Sequence, residues 1–291
     1  MTEEQTVTGA PPPTRRLVRE TGIWPPRFAG LTRPASPPRW VLAALAGLIS
    51  ITVAVWLTIG SSRAPGFDPR LWPAVRLPKA TDAQGGLVPA GVVMAVATLV
   101  ASWARLQRGL PETGLRLRSA VAVGTLWALP TALTVPLLSR DAYSYAAVGR
   151  LAATGHDPYL VGPAALGSGP FLALVDPLWQ HTPTPYGPVL VALLRVVADL
   201  GGGSVLITVL LLRALAVVAT AAAVVLAVRA APSTARAQVL VLTALNPVVL
   251  LHLVSGAHLD ALLGAAAVGV VLLTLRGRWY SAVVLAGTAF L

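Results

Sequence analysis

The chain has 291 residues, of which 55% are hydrophobic and only 11% are charged, and its mean hydropathy is +0.73. Soluble domains carry about 25% charged residues, so this composition excludes an ordinary soluble domain and is typical of a polytopic membrane protein. The absence of cysteine excludes disulfides and thiolate metal sites. The net charge of +11 comes from arginines scattered beside apolar runs rather than from a basic patch, so we expect no nucleic-acid partner.

In chain order, residues 1–39 come first and contain clustered prolines, six arginines and three glutamates without an apolar period, which predicts a disordered cytoplasmic tail. The remainder, 40–291, reads as one all-α transmembrane domain, because apolar runs of about 20 residues can cross a bilayer only as helices. The last apolar run has 13 residues, which predicts that the chain is truncated. The predicted spans are 40–60, 87–104, 119–138, 204–228, 238–254, 260–275 and 279–291.

One apolar segment, 188–200, is too short to span and carries Arg195 and Asp199 at i,i+4 spacing, so it predicts an interfacial helix. The distribution of charge supports this interpretation. If the segment does not cross, 14 basic residues fall on the side of the N-terminus and seven on the other. The positive-inside rule then predicts a cytoplasmic N-terminus and an external loop over 139–203.

The external loop begins with "SRDAYSYAAVGRLAATGHDPY", which predicts a helix from Asp141 to Thr154 that ends at Gly155. Two roles are open for Asp141. It is either the N-cap of this helix or a carboxylate at the membrane boundary that acts as a general base on a hydroxyl. Arg140 next to it supplies a cation suited to a phosphate.

Further polar residues follow on the same predicted side. Gln180 precedes the rigid segment "HTPTPYGP", which contains Tyr186, and these two side chains are candidates for contacts with a sugar. In "NPVVLLHLVSGAHLDA", Asn246 breaks a predicted span and His252 lies within it, while His258 and Asp260 flank its outer end. Two or three possible ligands without defined spacing indicate a metal only weakly, so phosphate or sugar contacts are favoured.

Arg213 is the one basic residue deep in a predicted span. A lone cation at that depth needs a partner. It pairs with an acidic side chain, extends outward to the interface or neutralises a lipid phosphate, and the sequence does not rank these three arrangements.

Taken in order, "RDAYSY", "GHDPY", "TPTPYGP" and "LNPVVLLHLVSGAHLDALL" resemble the actinobacterial polyprenol-phosphomannose-dependent α-1,6-mannosyltransferases of the GT-C superfamily, over residues 118–291. The resemblance implies a bundle of transmembrane helices in the plasma membrane, with a catalytic external loop. It implies inverting transfer of mannose from a polyprenyl-phosphate mannose donor to an α-1,6-mannan or phosphatidylinositol-mannoside-type acceptor. Leu259 departs from the polar residue expected at its position.

In that interpretation Asp141 deprotonates the acceptor's 6-hydroxyl, and no cofactor is expected, with a divalent metal left open. The rival hypothesis is a transporter or flippase of a lipid-linked sugar that uses Arg213 and His252. The residues expected to bind the donor phosphate or the substrates are Arg140, Tyr145, His156, Asp157, Tyr159, Gln180, Tyr186, Arg213, Asn246, His258 and Asp260.

Overall fold

The computed structural model describes residues 38–60 and 87–290, and no strand occurs among them. Of the tail predicted over 1–39, all but the last two residues lie outside the described part, and Arg39 already belongs to the first helix. These described residues form the α-helices α1 (Arg39–Gly60), α2 (Leu87–Thr113), α3 (Leu117–Ala132), α4 (Asp141–Ala153), α5 (Pro170–Leu174), α6 (Pro188–Leu200), α7 (Val205–Ala230), α8 (Arg236–Thr243), α9 (Asp260–Leu275) and α10 (Trp279–Phe290).

Three of these helices are long and apolar enough to cross a membrane, over Arg39–Thr58, Leu87–Arg108 and Val205–Ala230. A fourth candidate is a broken pair, in which a π-helix (Val249–Ser255) and α9 meet at a bend of 114°. The chain is therefore an all-helical polytopic membrane protein, as its composition predicts.

Two predicted spans are shorter or interrupted as helices, and a proline explains each. The helix expected over 119–138 ends at Ala132, four residues before Pro136, and that expected over 238–254 is interrupted after Thr243, four residues before Pro247. A proline ring clashes with the carbonyl of the residue four positions earlier and has no N–H to donate to it. Each proline therefore disfavours a regular helix across it, although α3 also contains Pro130 and continues two residues beyond that proline.

The first half of the bundle packs around Trp127 of α3, which is fully buried. Its indole N–H donates to the carbonyl of Ala44 at 2.9 Å, and its ring lies over Gly47 of α1, where even a Cβ atom would clash. Trp103 of α2 donates in the same way to Val241 of α8 at 2.8 Å. Tryptophan N–H groups thus join four helices while their rings fill the core between them.

The segment 139–203 packs against α7. Gly155 has a φ of +85°, and the amide of His156 donates to the carbonyl of Leu151 at 3.0 Å, so the motif predicted for the end of α4 is confirmed. α6 matches the predicted helix at both ends, and Arg195 and Asp199 pair across 3.9 Å on its exposed face. The place of α6 at the membrane interface stays a prediction.

Candidate active site

Asp141 is the first helical residue of α4, and the cap position belongs to Arg140, which makes no side-chain cap. The Asp141 amide instead donates to the hydroxyl oxygen of Ser139 at 3.1 Å. The purely capping role considered for Asp141 is therefore wrong, and its carboxylate is 38% exposed. The carboxylate lies in the first turn of α4, at the positive end of the helix dipole.

His258 brings this carboxylate together with a second one. Its Nδ1 lies 3.5 Å from Oδ2 of Asp141 and 3.7 Å from Oδ2 of Asp260, the first residue of α9. The His258 side chain is buried, and the His252 ring stacks on it with centroids 3.7 Å apart. The end of the π-helix and the start of α4 thus lie next to each other at the imidazole of His258.

Local backbone geometry fixes the His258 ring. Gly256 lies so close to it that a Cβ atom there would approach Cδ2 of His258 to 2.6 Å and the carbonyl oxygen of His252 to 2.5 Å. Ala257 takes a φ of +54°, a conformation that L-residues adopt at a cost. The "SGAH" turn therefore depends on a glycine to bring the two histidines together.

Two tyrosines complete the polar end of the site. Tyr145 of α4 and Tyr186 pack edge to face with centroids 5.5 Å apart, and Tyr145 also meets the His258 ring at 6.4 Å. Burial raises the pKa of Tyr145 above its ordinary value, with Tyr186 adding to the effect, and burial likewise raises the pKa of Tyr186. Both hydroxyls therefore stay protonated at physiological pH and can donate hydrogen bonds to a sugar or a phosphate.

All these groups line one cavity of about 640 Å³, and most of its other lining residues are apolar. Its volume falls within the range of ordinary small-molecule sites. The cavity is lined by Asp141, Tyr145, Pro185, Tyr186, Gly187, Val189, Leu190, Leu193, His252, His258, Leu259, Asp260, Leu262, Leu263, Ala266, Leu285, Thr288 and Ala289.

Five of the twelve predicted site residues are therefore brought together, namely Asp141, Tyr145, Tyr186, His258 and Asp260. Among the others, His156 lines a separate cavity of about 220 Å³. Arg140, Asp157, Tyr159, Gln180, Arg213 and Asn246 do not line the larger cavity.

Several of these outlying side chains make local bonds. Asp157 accepts from the Tyr159 amide at 2.9 Å, and Asn246 accepts from the Val248 amide, also at 2.9 Å. Gln180 donates to the Val175 carbonyl at 3.2 Å. Each bond stabilises the turn in which its residue lies, and the proposed substrate contacts of these residues stay predictions.

Arg213 is 4% exposed and joins helix ends. Nη1 donates to the carbonyls of Ala132, at 3.2 Å, and Thr134, and Nη2 donates to the carbonyl of Ser255 at 2.7 Å. The end of α3 and the end of the π-helix leave carbonyls without helical partners, and the guanidinium fork satisfies them. These carbonyl bonds were not among the three arrangements considered from the sequence, and a substrate contact of Arg213 stays a prediction.

Sequence reasoning placed His252 in a span and missed its membership of the site. The signal that could have found it is the proline and the glycine that flank it, Pro247 and Gly256, which predict irregular backbone beside the histidine. Leu259, the apolar departure in this segment, is buried in the cluster formed by α4, α6 and α7 while also lining the cavity.

Comparison with known proteins decides the family. A family model described as "Alpha-(1->6)-mannopyranosyltransferase, N-terminal domain" matches residues 41–291. The chain belongs to this family. The resemblance based on the four motifs is thereby confirmed.

Individual curated relatives support the same family. The chain is 32% identical to alpha-(1->6)-mannopyranosyltransferase A of Mycobacterium tuberculosis over 204 residues, covering 69% of this chain and 39% of the relative. It is 32% identical to mannopyranosyltransferase A of Corynebacterium glutamicum over 202 residues (66% and 41%), and 36% identical to mannopyranosyltransferase B of that organism over 142 residues (47% and 23%). The chain thus spans less than half the length of these curated relatives. No solved structure matches it.

Proposed function

We propose that the protein transfers mannose from a polyprenyl-phosphate mannose donor to an α-1,6-mannan acceptor, with inversion at the anomeric carbon. The observation that carries this proposal is the two-sided cavity. One end presents Asp141, Tyr145 and Tyr186, while the wall between α6, α9 and α10 is formed largely by leucine and alanine. A donor with a sugar phosphate at one end and an isoprenoid chain at the other has the same polarity pattern.

Asp141 acts as the general base in this mechanism. It accepts the proton of the acceptor's 6-hydroxyl while that oxygen forms a bond to the anomeric carbon, and the bond from that carbon to the phosphate oxygen breaks. The pair of electrons leaves with the polyprenyl phosphate. The cavity in which the phosphate and the sugar hydroxyls would lie is lined by Tyr145, Tyr186 and His258. Arg140 is next to Asp141 in the sequence.

The site faces the outside of the plasma membrane in this proposal, and the N-terminus is cytoplasmic. The excess of basic residues on the predicted cytoplasmic side supports that orientation. The acceptor is a mannan or a phosphatidylinositol-mannoside-type glycolipid. The transporter hypothesis is the second candidate: the three long apolar helices carry no acidic residue over Arg39–Thr58, Leu87–Arg108 and Val205–Ala230, whereas the broken fourth candidate begins its second helix with Asp260.

A transfer assay on membranes that contain the protein tests the proposal. Radiolabelled polyprenyl-phosphate mannose and a short α-1,6-mannoside should give a product one mannose longer, whose new linkage is α-1,6 by NMR. A nucleotide-linked mannose supplied directly should give none. Transfer from the nucleotide sugar alone, or a product of retained anomeric configuration, would contradict the proposal.

A further inference from the structure

His252, His258 and Asp260 each offer one ligand atom, and these atoms lie within 4.8 Å of one another. His252 and Asp260 are exposed to the cavity, and His258 is buried behind them. Two imidazoles and one carboxylate are the ligand set of many three-residue metal sites that keep a position open for water or substrate.

The distances from His258 fit ligands around one ion better than direct hydrogen bonds. An N–H···O bond normally spans 2.7–3.2 Å, whereas Nδ1 lies 3.5 Å from Asp141 and 3.7 Å from Asp260. Two atoms bound at about 2.1 Å to one tetrahedral ion are roughly 3.4 Å apart. The carboxylates therefore stand at the spacing that a shared metal ion requires.

The other nitrogen of the same ring is buried as well. His258 is 4% exposed, and its Nε2 is buried without a hydrogen-bond partner among the described residues. A buried polar atom without a partner is rare, and a water is the group that would satisfy Nε2, because an ion bound at Nδ1 cannot reach it. The nitrogen that faces the proposed ion is therefore Nδ1, whose two carboxylate partners both lie beyond the usual hydrogen-bond distance.

We propose that His252, His258 and Asp260 bind one divalent ion of the zinc or manganese class, with Asp141 beside it. Imidazole ligands favour such ions over calcium and magnesium, which prefer an all-oxygen set. Binding requires the His252 ring, which lies at the cavity surface, to turn out of its stacked position on His258. The free coordination position faces the cavity and takes an anionic oxygen. If the proposed function holds, this oxygen belongs to the donor phosphate.

Zinc titration of the purified, chelator-stripped protein in detergent tests the metal site, and this measurement does not require an activity assay. We expect one zinc ion per chain for the wild type and at least about a 100-fold weaker affinity for His252→Ala, since a direct ligand contributes more than the 10–100-fold of an outer-shell partner. His181→Ala, an exposed histidine outside the cavity, is the matched control and should bind as the wild type does. Absence of binding by the wild type, or equal affinity in His252→Ala, would overturn the site.

The transfer assay tests the role of the ion separately. Stripping the wild type should reduce transfer at least tenfold, with recovery on addition of zinc or manganese, and added metal should not restore His252→Ala to the wild-type rate. Full activity of the stripped protein would overturn a role in holding the phosphate. A wild type that binds zinc but transfers no mannose would refute the proposed function and leave the metal site standing.

Discussion

Tyr145 shows how burial prepares a side chain for the reaction. It is 4% exposed, and burial raises the pKa of its hydroxyl, so it stays a hydrogen-bond donor on the cavity wall over the physiological pH range. Tyr145→Phe removes the hydroxyl and keeps the ring. We predict a fall in transfer rate of about fivefold, because one such hydrogen bond contributes about 1 kcal/mol.

The same raised pKa fixes the pH dependence of that effect. Since the hydroxyl does not ionise below the ordinary pKa of tyrosine, the ratio of wild-type to Tyr145→Phe rates should be constant between about pH 6 and 9. Tyr280→Phe is the control, because Tyr280 is 93% exposed and does not line the cavity. A ratio that collapses at alkaline pH would show that Tyr145 titrates in this range.

Arg213 contributes to stability through the helix ends that it joins. Arg213→Leu leaves the carbonyls of Ala132, Thr134 and Ser255 without their guanidinium partner, in a region closed to water. We predict a loss of about 3 kcal/mol or more in the free energy of unfolding, measured as a lower melting temperature in detergent.

The control for this change is Arg195→Leu. The Arg195 side chain is 61% exposed and pairs only across 3.9 Å with Asp199, so its removal should change the melting temperature little. Equal shifts for the two variants would mean that the carbonyl bonds of Arg213 do not hold the helix ends together.

At the scale of elements, α4 and α6 approach closely at Gly149. A Cβ atom there would lie 2.3 Å from the backbone carbonyl oxygen of Leu194, which cannot move without moving α6. Gly149→Ala should therefore lower the melting temperature and displace Tyr145 on the same helix. Gly264→Ala, in open space on α9, should leave the melting temperature unchanged or raise it, because alanine is the better helix former. Shifts of the same sign would contradict this packing.

The elements differ in how far the sequence predicts them. α6 was predicted with its observed bounds and α4 to within one residue, because Pro188, Gly155 and the Gly201–Gly203 run are strong local signals. The predicted spans 119–138 and 238–254 failed as continuous helices because hydropathy measures apolar length and does not register a proline clash. Pro136 and Pro247 account for the interruption of those two predicted helices.

The residues of the site also differ in whether the sequence predicts them. Asp141, Tyr145, Tyr186, His258 and Asp260 share the cavity, and the motifs had singled out each of them. His252 was missed because six residues of regular α-helix turn side chains about 120° apart, which would separate it from His258. The π-helix and the left-handed Ala257 bring the two rings into contact; Pro247 and Gly256 indicate irregular backbone there but do not specify either feature.

At the scale of the whole molecule, the proposed orientation has a direct test. The chain contains no cysteine, so single cysteines introduced at exposed serines report accessibility without background. Ser168→Cys lies in the segment 139–203, and Ser233→Cys lies in the turn between α7 and α8. In intact cells a membrane-impermeant thiol reagent should label the first and spare the second until the membrane is opened. The reverse pattern would refute the external site.

The catalytic proposal depends most directly on one carboxylate. Asp141→Asn keeps the size of the side chain and the α4 start but removes the base, so we predict a loss of at least about 100-fold in transfer from polyprenyl-phosphate mannose, with the protein still inserted and its melting temperature preserved. Asp176→Asn is the matched control: this aspartate lies in the same segment, accepts the Leu178 amide at 3.0 Å and lines no part of the cavity, so its rate should stay near wild type. Wild-type transfer by folded Asp141→Asn would contradict the assignment of Asp141 as the base.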